Sequence, residues 1–321
     1  MKIYARGLMA AALIALSQLA AADDYPARPI RMVVPFAPGG GSDIAGRILA
    51  DGLGRALGQQ VVVDNRPGAG SSIGTDIAAK ASPDGYTTLL GNISLAFNSA
   101  LYKNLPYNVL RDLAPISLVC EQPNILVAHP SLPAKNLQEF VALAKAEPGK
   151  LTYASAGLGS GTHLAMALLA MSLKIDMVHV PYKGTGPAIT ALLGNEVSAF
   201  MSTFASALPH VKAGRLRSFG VTTAKRARAL PEVPTIAESG VPGFNYGTWY
   251  GLLAPAGTPR AIVAKLNQAT VAQLRAPDVE RRFDGQGMEV IPTTPEDFAV
   301  KLTSETEKWA DVVRSAKIPQ Q

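Results

Sequence analysis

Cysteine is nearly absent from this chain. Cys120 is the only one in 321 residues, so no internal disulfide can form and the fold rests on packing. It lies in the apolar run Ile116-Ser117-Leu118-Val119-Cys120, which reads as a buried, inert thiol. Charge is scarce as well: 17% of residues are charged against 48% apolar, a balance that builds cores and argues against disorder. The basic excess is small and scattered. Its densest cluster, Lys225-Arg226-Ala227-Arg228, reads as a solvated loop, so no nucleic-acid partner is expected. The four histidines, His129, His163, His179 and His210, are not at metal-ligand spacing, and neither a metal nor a cofactor is expected. Beyond the first residues no apolar stretch is long enough to span a bilayer; the richest, Leu164 to Leu173, stops at Lys174.

The first residues read as a secretory signal peptide: Lys2 and Arg6, the short apolar run Gly7 to Ser17, then Ala20-Ala21-Ala22 before Asp23-Asp24. Cleavage near Ala22 would place residues 23 onward outside the cytoplasm as a soluble protein, and loss of Lys2 and Arg6 lowers the formal charge from +6 to +4. The length suits two domains, and helix-type and strand-type segments alternate, which favours α/β layers.

Ile30 to Phe36 has the pattern of a buried strand. Pro38 to Gly41 is a turn, and Ser42-Asp43 open a helix with Ile44, Ile48, Leu49, Leu53 and Leu57 at helical spacing up to Gly58. Val61-Val62-Val63 completes a βαβ unit, whose crossover puts the glycine turn at the carboxyl edge of a sheet, where such folds bind ligands. A helix at 72–81 and strands at 86–91, 113–120 and 124–128 follow. The middle of the chain repeats the logic: a helix at 137–146, a strand at 151–154, the glycine turn Gly157 to Thr162, and a helix from His163 to Leu173. Strands at 177–180, 197–201 and 216–222 alternate with helices at 187–193 and 205–213. A strand at 248–254 and helices at 259–274 and 296–316 complete the chain. Two glycine turns, one per half, would aim two helix N-termini into a shared cleft, a setting that favours an anion.

Two motifs imitate enzymes. Gly70-Ser71-Ser72-Ile73-Gly74 matches G-x-S-x-G, but Asn65 to Gly70 separate Ser72 from the strand that a nucleophile elbow needs immediately before it. The first βαβ unit imitates a dinucleotide fingerprint with Asp64 at the end of its second strand. Yet Ile44 stands where the third glycine belongs, and Asp43 would face a pyrophosphate. Asp43 reads instead as a helix cap or first-turn acid, one that a ligand carboxylate must avoid. His163 opens its helix either as a locally satisfied imidazole or as a ligand contact.

The chain resembles the Bug family (TctC-like) of extracytoplasmic solute receptors, the periplasmic component of tripartite tricarboxylate transporters. The resemblance rests on Val34-Pro35-Phe36-Ala37-Pro38-Gly39-Gly40-Gly41-Ser42-Asp43, Val63-Asp64-Asn65-Arg66-Pro67-Gly68-Ala69-Gly70 and Ser82-Pro83-Asp84-Gly85-Tyr86-Thr87. It continues through Gly161-Thr162-His163, Val180-Pro181-Tyr182-Lys183-Gly184, Ala207-Leu208-Pro209-His210-Val211 and Leu230-Pro231-Glu232-Val233-Pro234-Thr235. It implies an α/β, two-domain periplasmic-binding-protein fold of the Venus-flytrap, type II-like kind. The first domain would be discontinuous (23–123 and 249–321), the second would be 124–248, and the ligand cleft would lie between them. It implies capture of a small carboxylate without chemistry by a monomer, and delivery to membrane permease subunits. Implied ligand contacts are Phe36, Pro38, Gly39, Gly40 and Asp43 in the first loop, Asn92 and Ser94 beside it, and Ala156, Gly157, Ser160, Gly161, Thr162 and His163 in the second. Where amino-acid-binding members carry an acid, this chain has Ser202-Thr203, which favours a di- or tricarboxylate or an aromatic carboxylate over an amino acid; alternatively, Ser202 caps the next helix. A ligand-sensing subunit and a secreted serine hydrolase using Ser72 are the other functions considered.

Overall fold

The computed structural model describes residues 25–315. The signal peptide read at residues 1–22 and the last residue expected in the C-terminal helix, Ala316, lie outside the described residues. Among the described residues no helix is long and apolar enough to cross a membrane.

The first sheet begins as expected. β1 (Ile30–Val34) and β2 (Val61–Asn65) are parallel, with Ile30 opposite Val61, and α1 (Gly41–Leu57) crosses between them. Ile48, Leu49 and Leu53 are buried on one face of α1. Gly58 stops the helix in the left-handed conformation (φ 66°), which glycine adopts at little cost. A single 3₁₀ turn, Ala69–Ser71, leads into α2 (Ser72–Ala79), and β3 (Thr87–Asn92) pairs on the other side of β1. α3 (Ser94–Leu101) follows directly.

The strands expected at 113–120 and 124–128 are one continuous strand, β4 (Leu113–Ala128). Pro123 did not break it, because the strand changes partners there. Up to Pro123 it pairs antiparallel with β9 (Gly247–Pro255); from Asn124 onward it runs between β7 (Ala199–Thr203) and β8 (Arg217–Val221). One strand thus belongs to two sheets. The second sheet continues through β5 (Thr152–Ser155) to β6 (Val178–Pro181), both parallel to β7's direction of pairing. Its helices are α4 (Leu137–Ala146), α5 (Gly161–Leu173), α6 (Thr185–Leu193) and α7 (Phe204–Lys212). The chain returns where the Tyr246 N–H donates to the Thr222 carbonyl, and β9 begins at Gly247.

α8 (Arg260–Leu274) packs against α1, and α10 (Pro295–Ser315) returns to the first sheet. The Phe97 and Trp309 rings meet edge-on at 4.5 Å, and Phe298 packs edge-on to Trp249 and flush against Gly251. Burial of each such ring contributes roughly 1.5–3 kcal/mol. α9 (Pro277–Asp284) and β10 (Glu289–Val290), which pairs with β4, were not anticipated, since a two-residue strand carries no readable period. Cys120 is fully buried against Met288, and burial pushes its thiol well above its ordinary pKa. The thiol is therefore an inert core group.

Candidate functional site

Five helices start at one place between the two sheets. The cavity there is lined by Phe36, Ser42, Asn92, Ala156, Ser160, Gly161, Thr162, Thr185, Thr203 and Thr248. Ser42 lies in the first turn of α1, Gly161 and Thr162 open α5, and Thr185 opens α6. Thr203 immediately precedes α7, and the Asn92 Oδ1 accepts from the Ser94 N–H at the start of α3. The first N–H groups of a helix have no partner within it, and the aligned peptide dipoles leave positive charge there. No lining side chain is ionisable. The cavity is therefore electropositive without containing a cation. Its volume is about 20 Å³, room for one or two waters, so the lobes must part to admit an organic molecule.

The two glycine loops are held by different chemistry. In the first, Asp43 accepts from the Gly39 N–H at 3.0 Å, from Arg47 Nε at 3.1 Å and from Asn65 Nδ2 at 3.0 Å. Burial pushes the Asp43 carboxyl pKa up, but Arg47, the Gly39 amide and Asn65 together outweigh it and hold the group below its ordinary value. Asp43 is thus a paired carboxylate engaged with its own loop, so the expected conflict between it and an anionic ligand is removed.

The second loop is held by neutral groups. Ser160 Oγ accepts from the His163 N–H, Thr162 Oγ1 from the Ala156 N–H at 2.8 Å, and Ser155 Oγ from the Gly157 N–H at 3.0 Å. His163 Nδ1 accepts from the Gly159 N–H at 3.3 Å, which fixes the neutral ring's proton on Nε2. His179 Nε2 lies 2.6 Å from Ser155 Oγ, and the two imidazoles stack at 4.2 Å. Burial pushes both histidines down to about 4, and in His179 the neighbouring His163 adds to the shift.

The lobes touch across this site. The Ala37 N–H donates to the Lys183 carbonyl, the Gly161 N–H to Ser94 Oγ, Tyr102 Oη to the Leu158 carbonyl and Ser206 Oγ to the Gly39 carbonyl. Gly70, in the left-handed region at φ 57°, lies flush against the Leu158 carbonyl, where a Cβ would collide with it.

Of the residues expected from sequence, Phe36, Asn92, Ala156, Ser160, Gly161, Thr162 and Thr203 meet at the cavity. Pro38 and Gly39 are exposed at the rim. Gly40 precedes α1 against Thr185, and Gly157 lies against Gly70. Ser94 and His163 stand behind the lining and Asp43 is occupied elsewhere. Ser202 is fully buried with its Oγ donating to the Thr203 carbonyl, so it caps no helix. Gln122 takes up the N-terminus of α7 instead, accepting from the Ala205 N–H at 2.9 Å. Sequence reasoning missed Ser42, Thr185 and Thr248. Ser42 and Thr185 stand in the first turns that follow the quoted glycines, a signal available but not used; Thr248 begins a strand and carries no local signal.

The enzyme readings find no geometry. Ser72 Oγ accepts from Asn98 Nδ2 and follows a 3₁₀ turn, and Asp64 is ion-paired with Arg31 and Arg66.

The model of the tripartite tricarboxylate transporter family receptors matches residues 45–318. The chain belongs to this family. Among solved structures it is similar to the periplasmic binding protein BugD, with 37% identity, TM-score 0.90, and coverage of 92% of this chain and 100% of that one. An R. palustris protein solved with adipate is 33% identical, with TM-score 0.90 and coverage of 93% and 100%. The malate-bound MatC of Rhodopseudomonas palustris is 35% identical, with TM-score 0.86 and coverage of 90% and 100%. The expected fold is therefore the observed one, an α/β two-domain periplasmic-binding-protein fold, and the chain is a solute-binding receptor of the Bug type, not an enzyme.

Proposed function

We propose that this receptor captures a small di- or tricarboxylate, or an aromatic carboxylate, in the periplasm and hands it to the permease subunits of a tripartite tricarboxylate transporter. The observation that carries the reading is the ring of helix N-termini around a cavity lined by hydroxyls, amide and backbone, with no ionisable side chain. Dipoles and hydroxyl donors of this kind suit carboxylate oxygens. An ammonium would find no carboxylate here, so Ser202-Thr203 favours acids over amino acids. Adipate and malate in the two R. palustris relatives support the same ligand class.

The working division places residues 25–123 and the segment from about Gly247 onward in one lobe, and Asn124 to Tyr246 in the other. The hinge is then the pair of crossings at Pro123–Asn124 and Tyr246–Gly247, two residues before the return expected at 249. The ligand contacts are the cavity lining together with the loops Phe36 to Asp43 and Ala156 to His163.

The test is a thermal-shift screen of residues 23–321 against carboxylates, aromatic acids, amino acids and sugars. Stabilisation confined to carboxylates is expected. Stabilisation by an amino acid or sugar alone would overturn the ligand class. X-ray scattering with a saturating acid should show compaction; equal dimensions with and without it would sink the closing hinge.

A further inference from the structure

The cavity floor is built on the strands that cross between the lobes, and one buried group there has unused hydrogen-bonding capacity. Asn124 is the residue at which β4 leaves β9, and it is fully buried. Its backbone is satisfied: its N–H donates to Thr222 Oγ1 at 2.8 Å and its carbonyl accepts from the Thr222 N–H at 2.9 Å. Its side-chain Oδ1 accepts from Thr248 Oγ1 at 2.8 Å. Its Nδ2 has no partner.

The direction of this side chain follows from register. Asn124 stands directly opposite Thr203 on β7, and directly opposed residues of an antiparallel pair share a face. Thr203 lines the cavity, and so does Thr248, whose hydroxyl orients the Asn124 carboxamide. The carboxamide therefore lies on the same face as these two lining threonines, directly behind the cavity wall they form. A buried donor left unpaired disfavours the structure containing it. The closed arrangement around Asn124 is complete only when an acceptor joins it.

Building on the carboxylate reading above, we propose that Asn124 is a specificity-determining residue: its Nδ2–H donates to an oxygen of the bound acid, directly or through one water, while Thr248 holds the carboxamide in that orientation. The hinge strand itself then reports whether the cleft holds an acceptor. A ligand ending in an ammonium meets an N–H donor and is rejected. Asn124→Asp keeps the oxygen that serves Thr248 and replaces the donor by an acceptor, so it should reverse the preference.

Wild type, Asn124→Asp, Asn124→Ser and Thr248→Val are titrated calorimetrically with succinate and with γ-aminobutyrate, which share four carbons and one carboxylate and differ in the other end. Melting curves and circular dichroism check folding. If another acid dominates the thermal-shift screen, that acid and its amine-ended analogue of equal length join the set. Wild type should prefer the diacid. Asn124→Asp should weaken the diacid about 30-fold and improve the amine-ended ligand about 10-fold. Asn124→Ser and Thr248→Val should lower the diacid preference about 3-fold to 10-fold without reversing it. If Asn124→Asp does not fold, these two milder variants decide. A preference unchanged within 2-fold in every folded variant would overturn the role of Asn124 and leave the carboxylate reading standing. A wild type that binds no acid at all would overturn the carboxylate reading first, and this inference with it.

Discussion

The two glycine loops that meet at the cavity do the same job with opposite chemistry. The first is tied by a carboxylate, Asp43, that gathers Gly39, Arg47 and Asn65. The second is tied by hydroxyls and two neutral imidazoles, with no ionised group among its ties. A helix N-terminus aimed at an anion must be rigid without competing with the ligand for its N–H groups. The first loop meets this by turning its acid back on itself; the second by using only neutral acceptors. The difference should appear as different sensitivities to acid, truncation and salt.

Acid is the largest lever. His163 and His179 sit near pKa 4 when folded and at the ordinary 6.5 when free. Between those values the unfolded chain binds more protons than the folded one, so their contribution is full above pH 6.5 and declines as pH falls toward 4. The decline should amount to roughly 3 kcal/mol for the pair after allowing for partial exposure. Protonation of His163 Nδ1 in the folded protein also removes the acceptor for Gly159, so ligand affinity should hold through most of this window and fall only as pH approaches 4. Asp43, whose pKa is lowered by folding, behaves differently: its contribution is present above about 3.8 and is lost only as pH falls through its lower folded pKa. Melting temperature measured from pH 7 to 4 should drop in wild type and flatten in the double variant His163→Gln/His179→Gln. An equal drop in both would show that the second loop is not the acid-sensitive one.

Truncating the first loop's acid comes next. Asp43→Ala leaves the Gly39 amide without its acceptor and Asn65 with only its bond to the Phe36 carbonyl, and should cost about 2 kcal/mol of stability, taking into account that Arg47 is half exposed. Chemical denaturation measures this. The same substitution should weaken carboxylate binding at least 10-fold, because the loop carrying Phe36 and Ser42 loosens. A variant as stable as wild type would mean that Asp43 does not hold the first loop.

The contact between the lobes offers a smaller test. Gly70→Ala adds a Cβ where the Leu158 carbonyl lies and forces a positive φ on alanine, about 1 kcal/mol on its own. Ligand affinity should fall about 10-fold, with the melting temperature of the ligand-free protein changing by only a few degrees. Unchanged affinity in calorimetry would mean that the lobes need not touch at Gly70 to hold the ligand.

Much of this was legible in the sequence. The βαβ unit at Ile30 to Val63 announced itself by a buried apolar run, a glycine turn and a helical period closed by Gly58. The helix expected at 137–146 has those bounds in the structure. What stayed hidden depends on long-range partners. Pro123 looked like a break between strands because its neighbours gave no hint that β4 would exchange one sheet for another there. Asp43 looked like a hazard to a ligand because its partner Asn65 lies across the crossover, 22 residues away. Thr248 and Asn124 reach the cavity floor only through strand register, which no local pattern encodes.

The last and smallest comparison concerns salt. Arg47 and Asp43 are one turn apart on α1 at 2.9 Å, with Arg47 about half exposed and Asp43 nearly buried. A pair of this kind contributes about 0.5 kcal/mol and is weakened by screening. Arg47→Met keeps the aliphatic stem and the Gly39 and Asn65 bonds to Asp43, so the loop should stay folded with a loss near that size. The second loop has no ion pair among its ties and should be indifferent to salt. Ligand affinity in wild type should therefore drift down slightly between 0.05 and 0.5 M sodium chloride, through the first loop and through general screening of the anion. In Arg47→Met the part due to the loop disappears, leaving a shallower slope. Identical slopes in the two proteins would show that the ion pair is not what steadies the first loop, and that the Gly39 amide and Asn65 hold it without Arg47.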